Sequence, residues 1–184
     1  MTRPPYSPKE SLFSRGLGSY LLRVGFVIFL VAMSMVLFFP VERTSGEMIN
    51  IWTELTSGVT PLADATEQGK TLWSTMIFTT LVFSQMGHAL AVRSERKLLL
   101  QIGIFSNMAA VIAIGLTIAL QLVMIYTPFL NDLFNTTPLT LEQLLLAFGV
   151  GLVTLLYVEF DKLTFGRRAQ NKANAAARAD AAAA

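Results

Sequence analysis

The sequence predicts an all-α integral membrane protein, a four-helix bundle whose N and C termini both lie in the cytoplasm. Hydrophobic residues make up 53% of its 184 residues and charged residues only 14%, with a mean hydropathy of +0.56. A soluble domain is roughly 25% charged, so this chain has too few charges to cover a soluble surface. Four long apolar runs and a one-sided distribution of basic residues complete the prediction, and the length suits a single domain.

Four apolar segments are each long enough to cross a bilayer, which takes about 20 helical residues. We expect spans at about residues 20–39, 74–92, 107–126 and 141–159. Pro40 ends the first span, and the second is the least apolar because it contains several polar side chains. The first run starts too late and is too long for a signal peptide, so it is predicted to be a retained span.

Lysine and arginine residues are concentrated on one side of the predicted membrane. Twelve of the 14 basic residues lie in the N-terminal arm and the start of the first span, in the link between the second and third spans, or in the C-terminal tail. The two opposite loops hold only Arg43 and Lys70. Cytoplasmic loops carry the excess of basic residues in membrane proteins, so both termini are predicted to be cytoplasmic.

The chain divides into three parts around these spans. Residues 1–19 form a cytoplasmic loop segment, residues 20–163 the transmembrane domain, and residues 164–184 a low-complexity, alanine-rich cytoplasmic tail. The short link at residues 93–98 predicts that the second and third spans pack as an antiparallel pair. The long outer loop at residues 41–70 is expected to form an interfacial turn around four apolar residues, which are Met48, Ile51, Trp52 and Leu55.

Polar side chains inside the membrane indicate where function is most often found. The second span contains most of them, including Thr79, Ser84, Gln85 and His88. The Gln85 amide oxygen is a candidate cation ligand because calcium prefers oxygen ligands. The alternative is that Gln85 hydrogen-bonds a neighbouring helix, as polar residues commonly do in membranes. Thr79, Ser84 and His88 are expected to make structural hydrogen bonds, as is Gln121 in the third span.

Several weaker features accompany these residues. Gly149 and Gly151, with Ala147, predict a small-residue surface for close helix approach in the fourth span. Glu159 and Asp161 lie at the cytoplasmic exit of the same span and are expected to form a solvated rim of ion pairs with the neighbouring lysine. At the mouth of the third span, the asparagine at position 107 is expected to cap the helix.

The sequence also excludes several kinds of chemistry. It contains no cysteine and one histidine, which rules out thiolate or multi-histidine metal sites and a cysteine nucleophile. The small net charge of +2 argues against a nucleic-acid partner. No glycine-rich phosphate loop and no Asp-Lys-Thr-Gly stretch occurs, although phosphoryl transfer needs such parts. We therefore predict no catalytic residues and no cofactor in this chain, and no enzyme activity for it alone.

Several motifs resemble a known family in their order and spacing. The chain is similar to the seventh to tenth transmembrane helices of P-type cation-transporting ATPases, most of all the calcium-transporting type. The match runs over most of the chain, and the similar stretches are residues 3–10 (RPPYSPKE), 75–90 (TMIFTTLVFSQMGHAL), 102–107 (IGIFSN), 138–141 (PLTL) and 158–162 (VEFDK).

This resemblance implies a role within a larger pump. An acidic or amide residue of the eighth helix can contribute to one calcium site in the family, and Gln85 occupies that position. A glutamine in place of a glutamate loses a charge, which argues against a second, fully formed calcium site. The main ion ligands of the family lie on its fourth to sixth helices, which are absent from this sequence. The resemblance implies that ATP and magnesium act only in the complete pump, with calcium as the transported cation.

Two functions from different classes follow. The first is the C-terminal membrane support domain of a calcium pump, a fragment or split subunit that braces the ion-carrying helices. Its partners are the lipid bilayer and the N-terminal part of the pump, and its place is the plasma membrane of a bacterium. The alternative is an independent four-helix membrane protein with a regulatory or assembly role. A small channel is disfavoured because no span has a continuous polar stripe.

Overall fold

The computed structural model describes residues 17–58, 60, 62–93 and 98–166, and most of them are helical. The prediction of a helical protein is confirmed, although a short two-stranded hairpin is added to it. The predictions for residues 1–16, 94–97 and 167–184 lie outside the described residues. The helices are α1 (Leu17–Phe38), α2 (Ile51–Ser57), α3 (Glu67–Ala91), α4 (Leu99–Ile102), α5 (Met108–Tyr126), α6 (Pro128–Phe134) and α7 (Leu141–Asp161).

The four long helices are α1, α3, α5 and α7, and local capping residues set where two of them begin. The Thr66 hydroxyl accepts a hydrogen bond from the Gly69 amide at 2.9 Å, so α3 starts well before the apolar run that predicted it. Asn107 caps α5 in the same way by accepting from the Ala110 amide, as the sequence predicted. These caps satisfy backbone N–H groups that have no partner within the helix.

Hydropathy separates α3 from the other long helices. Among the described residues, three helical segments are long and apolar enough to cross a membrane: Gly18–Phe38, Met108–Tyr126 and Leu141–Thr164. The sequence predicted four such segments, and α3 does not reach the same hydropathy because polar side chains interrupt it. A crossing by α3 and the position of the termini therefore remain predictions.

The long helices pack on one another with interfaces of different size. The most extensive interface joins α3 to α7, with α1 packed against both, whereas α5 makes a smaller contact with α3. The short link had predicted that α3 and α5 pack together, and they do contact each other, although α7 is the more extensive partner of α3. Chain connection fixes only which helices are neighbours, while small residues on α3 and α7 permit the closer approach. The core between the helices includes Met76, Phe83, Ile125 and Ala147.

The segment between α1 and α3 is folded. Strand β1 (Val41–Glu42) pairs antiparallel with β2 (Met48–Ile49), and α2 follows directly. The Arg43 guanidinium bonds the buried Glu54 carboxylate at 2.7 Å, and the Leu62 amide donates to the same carboxylate at 2.9 Å. Burial alone would raise the pKa of Glu54, but these two donors outweigh it and hold that pKa below its ordinary value.

The connection from α6 to α7 lies at the same end of the molecule as this segment. The Thr137 amide donates to the Thr75 hydroxyl near the start of α3 at 3.1 Å. The Tyr126 hydroxyl, at the end of α5, donates to the Leu139 carbonyl at 2.7 Å. Side-chain hydrogen bonds therefore join α3, α5 and the start of α7 at this end.

Candidate functional site

Helix α3 presents polar side chains to each of the other long helices. The Gln121 amide of α5 donates to the Thr79 hydroxyl at 3.1 Å, and both side chains are buried. The Ser84 hydroxyl lies 2.5 Å from the Thr154 hydroxyl of α7, also in a buried position. Buried polar groups need such partners because an unmade hydrogen bond carries the full cost of desolvation. Three of the predicted polar residues, Thr79, Ser84 and Gln121, therefore connect helices.

A third contact joins α3 to α1. The Tyr20 hydroxyl lies 3.3 Å from His88 Nε2, and the two rings are stacked with centroids 6.5 Å apart. His88 is only partly exposed, and its Nε2 atom is within hydrogen-bonding distance of Tyr20. A single histidine in contact with a tyrosine does not form a metal site by itself.

Gln85 occupies a different environment from these residues. It is exposed, and its side chain makes no hydrogen bond to the part of the chain that the structure describes. Gln85 and His88 are three residues apart, yet they do not form one site because His88 turns towards Tyr20. The sequence had offered a hydrogen bond from Gln85 to a neighbouring helix as the alternative, and no such bond occurs among the described residues.

Gln85 lies at the centre of an exposed stripe along α3. Residues at intervals of three, four or seven fall on one side of a helix. The members of this exposed stripe are Ser74, Phe78, Gln85, Ala89 and Val92. Because α1, α5 and α7 pack on the other sides of α3, this stripe is where further helices can reach it. A carboxamide there can donate or accept a hydrogen bond, or offer its oxygen to a cation.

No complete metal site accompanies Gln85. Within the described ranges, no three His, Asp or Glu side chains come close enough together to hold a metal ion. A single amide oxygen supplies far fewer ligands than calcium takes, which is at least about six. Any cation site that includes Gln85 therefore needs ligands from another segment.

Small residues set the distance between α3 and α7. A Cβ atom placed on Gly151 would lie 2.7 Å from the Phe83 Cβ, and one on Gly87 would lie 3.1 Å from the Leu155 Cβ. Ala147 is fully buried on the same side of α7 as Gly151. Gly149, which the sequence placed in this surface, is exposed, and a Cβ atom placed there would meet no atom within 4 Å. The close approach therefore uses the residues at 147 and 151 but not Gly149.

The ion pairs at the far end of α7 are more buried than the sequence suggested. Arg23 of α1 bonds the Asp161 carboxylate at 2.9 Å, and Lys162 bonds Glu159 at 2.6 Å. Asp161 and Lys162 are only 6% and 7% exposed, so the expected solvated rim is wrong. These charges lie inside because partners on other helices satisfy them. The Lys162 ammonium also donates to the Ala91 carbonyl at 2.6 Å.

Sequence reasoning missed two members of the polar contacts, Tyr20 and Thr154. Thr154 follows Gly151 by three residues, so it lies on the face of α7 that packs closely on α3. That spacing could have indicated that Thr154 faces α3. Tyr20 carried no comparable signal, since an interfacial tyrosine near the start of a span needs no partner.

The chain matches a known family over most of its length. The family model described as "Cation transporting ATPase, C-terminus" matches residues 1–164. Its coverage includes all four long helices and their connections.

Individual relatives are calcium-transporting ATPases that are much longer than this chain. Calcium-transporting ATPase 1 of Yarrowia lipolytica is 38% identical over 100 residues, which are 54% of this chain and 10% of that protein. Calcium-transporting ATPase type 2C member 2 of Rattus norvegicus is 29% identical over 163 residues, 89% of this chain and 15% of that protein. Calcium-transporting ATPase type 2C member 1 of Homo sapiens is 29% identical over 148 residues, 80% of this chain and 14% of that protein. The chain thus spans a small fraction of these relatives, and it belongs to the family of C-terminal domains of cation-transporting ATPases.

Proposed function

We propose that this chain is the C-terminal membrane support domain of a calcium-transporting P-type ATPase, in which it braces the helices that carry the ion. The observation that carries the proposal is the exposed stripe of α3 with Gln85 at its centre. The other sides of α3 pack on α1, α5 and α7, so the stripe is the surface through which α3 can contact further helices. Calcium is the proposed cation because the named relatives are calcium-transporting ATPases.

In this proposal α3 also crosses the membrane, as the second of four spans, which makes the domain a four-helix transmembrane unit over residues 20–163. Its 25 residues extend over about 38 Å, enough for a hydrocarbon core of about 30 Å. The side chains that lower its hydropathy are compatible with a membrane because Thr79 and Ser84 pair with neighbouring helices. The basic residues of the flanks favour cytoplasmic termini.

The partner of this domain is the part of the pump that carries the phosphorylation and nucleotide machinery, on the same polypeptide or on another. The domain itself contributes no catalytic residue. ATP and magnesium act on that partner, and calcium passes between its helices and α3. The bilayer surrounds the remaining faces of the domain. We place the protein in the plasma membrane and propose a bacterial source, although the relatives named above are eukaryotic.

Gln85 is proposed to complete or border a cation site supplied mainly by the partner helices. Its amide oxygen is exposed on α3 and is a suitable ligand for a hard cation. A neutral amide binds calcium less strongly than a carboxylate would. The proposed contribution of Gln85 is therefore to affinity, and its loss is expected to weaken calcium binding without preventing assembly.

The test is reassembly of a pump in membranes. The chain is co-expressed with a type 2C calcium-transporting ATPase that lacks its matching C-terminal segment, and calcium-dependent ATP hydrolysis is measured in purified membranes. We expect hydrolysis only when both parts are present. Stable insertion of both parts without any hydrolysis would contradict the proposal and favour a separate regulatory or assembly role.

Gln85→Ala in the reassembled pump tests the site itself. We expect the calcium concentration for half-maximal hydrolysis to rise several-fold. Gln68→Ala is the matched control because Gln68 is an exposed glutamine in the first turn of α3, away from the membrane centre. An unchanged calcium dependence in Gln85→Ala would remove Gln85 from the ion path.

A further inference from the structure

We propose that the segment between α1 and α3 binds the headgroup region of the lipid bilayer through an anchor patch formed by Phe38, Trp52 and Leu55. The three side chains are 55%, 49% and 54% exposed. Scattered exposed apolar residues are normal on any protein, but a grouped set next to a membrane span indicates an interaction surface.

The patch is one side of a two-sided helix. On α2, Ile51 and Glu54 point inwards and are buried, while Trp52 and Leu55 point outwards. Trp52 and Leu55 are three residues apart and therefore share a face. The Trp52 ring packs on the Phe38 ring with centroids 5.8 Å apart, which extends this face onto the end of α1. On the neighbouring strand, the side chain at position 48, a methionine, is exposed as well.

Continuity with α1 identifies lipid as the occupant. α1 is apolar enough to cross a membrane, and its 22 residues extend over about 33 Å, close to the thickness of a hydrocarbon core. Phe38 is its last residue, so Trp52 lies level with the edge of that core. Tryptophan is enriched at this depth because its ring is apolar and its N–H is polar. The ionic groups of Arg43 and Glu54 pair with each other away from the patch.

The structure holds the patch in place before any lipid binds. A helix of seven residues is unstable alone in water, and α2 is held by contacts at both ends. The Asn50 side chain accepts from the Thr53 amide, and Gly58 ends the helix with a φ of +72°. The buried Glu54 carboxylate fixes the inner face through Arg43 and a backbone amide of the following loop. The patch is therefore a preformed surface, which lowers the entropic cost of binding.

The experiment measures the depth of Trp52 in reconstituted vesicles. The full chain has two tryptophans, so Trp73→Phe leaves Trp52 as the fluorophore. Vesicles contain phosphatidylcholine with bromine atoms either near the headgroup or near the chain ends. We expect blue-shifted Trp52 emission, stronger quenching by the shallow bromines than by the deep ones, and little quenching by aqueous iodide. Leu55→Asp is expected to shift the emission to the red and increase iodide quenching.

An insertion control separates this proposal from the membrane topology on which it depends. With both natural tryptophans replaced by phenylalanine, Leu116→Trp places a fluorophore on the exposed middle of α5, where deep bromines should quench it most. If iodide quenches Trp52 while the deep bromines quench the tryptophan at position 116, the chain crosses the membrane but the anchor patch does not bind lipid. Shielding of Trp52 from both iodide and bromines would overturn it in favour of a protein partner. Absence of quenching at position 116 would overturn membrane crossing and the anchor together.

Discussion

The close approach of α3 and α7 predicts a large difference between two neighbouring glycine substitutions. Gly151→Ala places a methyl group 2.7 Å from the Phe83 Cβ and 3.0 Å from the Ser84 backbone nitrogen. Neither contact can be relieved by a side-chain rotation, so α7 must move away from α3. Gly149→Ala meets no atom within 4 Å. Both changes remove a glycine from the same helix, so the gain in helix propensity, about 1 kcal/mol, is common to both.

The difference in the free energy of unfolding between the two variants therefore measures the cost of overpacking the α3–α7 contact. Overpacking a close contact costs about 1–3 kcal/mol, so Gly151→Ala should be less stable than Gly149→Ala by about 2 kcal/mol. The assay is unfolding in mixed micelles with rising SDS content, followed by tryptophan fluorescence and near-ultraviolet circular dichroism. Equal stability of the two variants, or a stabilised Gly151→Ala, would refute the proposed α3–α7 interface.

Three further predictions concern the polar contacts. Ser84→Ala leaves the Thr154 hydroxyl without its partner, and the free energy of unfolding in the same micelle assay should fall by about 1 kcal/mol; removal of both hydroxyls should cost less than the sum of the single changes. Asp161→Asn weakens the mostly buried ion pair with Arg23 and should lower the free energy of unfolding by about 2 kcal/mol. Lys70→Gln, in an exposed ion pair, should lower it by less than about 0.5 kcal/mol. Similar losses in the two variants would contradict the burial of the Asp161 pair. Because the pKa of Glu54 is lowered, its ionised carboxylate stabilises the fold fully above pH 4.5, the ordinary pKa of the group, and this stabilisation is lost as the pH falls through the folded-state pKa. Trp52 fluorescence should report this transition, and Glu54→Gln should abolish it.

Hydropathy and local signals predicted much of the helical structure. Each long helix overlaps an apolar segment of the sequence, and the cap at Asn107 follows from its residue type and position. These features depend on interactions within a few residues of the chain, which a sequence displays directly. In the described structure, Thr79, Ser84 and His88 of α3 each lie within hydrogen-bonding distance of a side chain on another long helix.

Contacts between distant segments were beyond the same reasoning. The main partner of α3 is α7 because the glycine at 151 faces Phe83, and spacing alone did not distinguish it from Gly149. Asp161 is buried because Arg23 of a different helix reaches it, so nearby residues offered no reason to expect burial. The exposure of Gln85 likewise depends on where three other helices pack. Each of these properties needs the arrangement of helices, which local patterns leave open.

We propose that the exposed stripe of α3 is the docking surface for the rest of a pump. Site-specific photocross-linking tests this claim most directly. A benzophenone amino acid replaces Phe78 within the stripe or, as the control, Leu116 on the exposed side of α5. Each variant is co-expressed with the calcium-transporting ATPase that lacks its matching C-terminal segment, and the membranes are irradiated. We predict a cross-link to that partner from position 78 and none from position 116. No cross-link from position 78, or equal cross-linking from both positions, would contradict the docking role of the stripe.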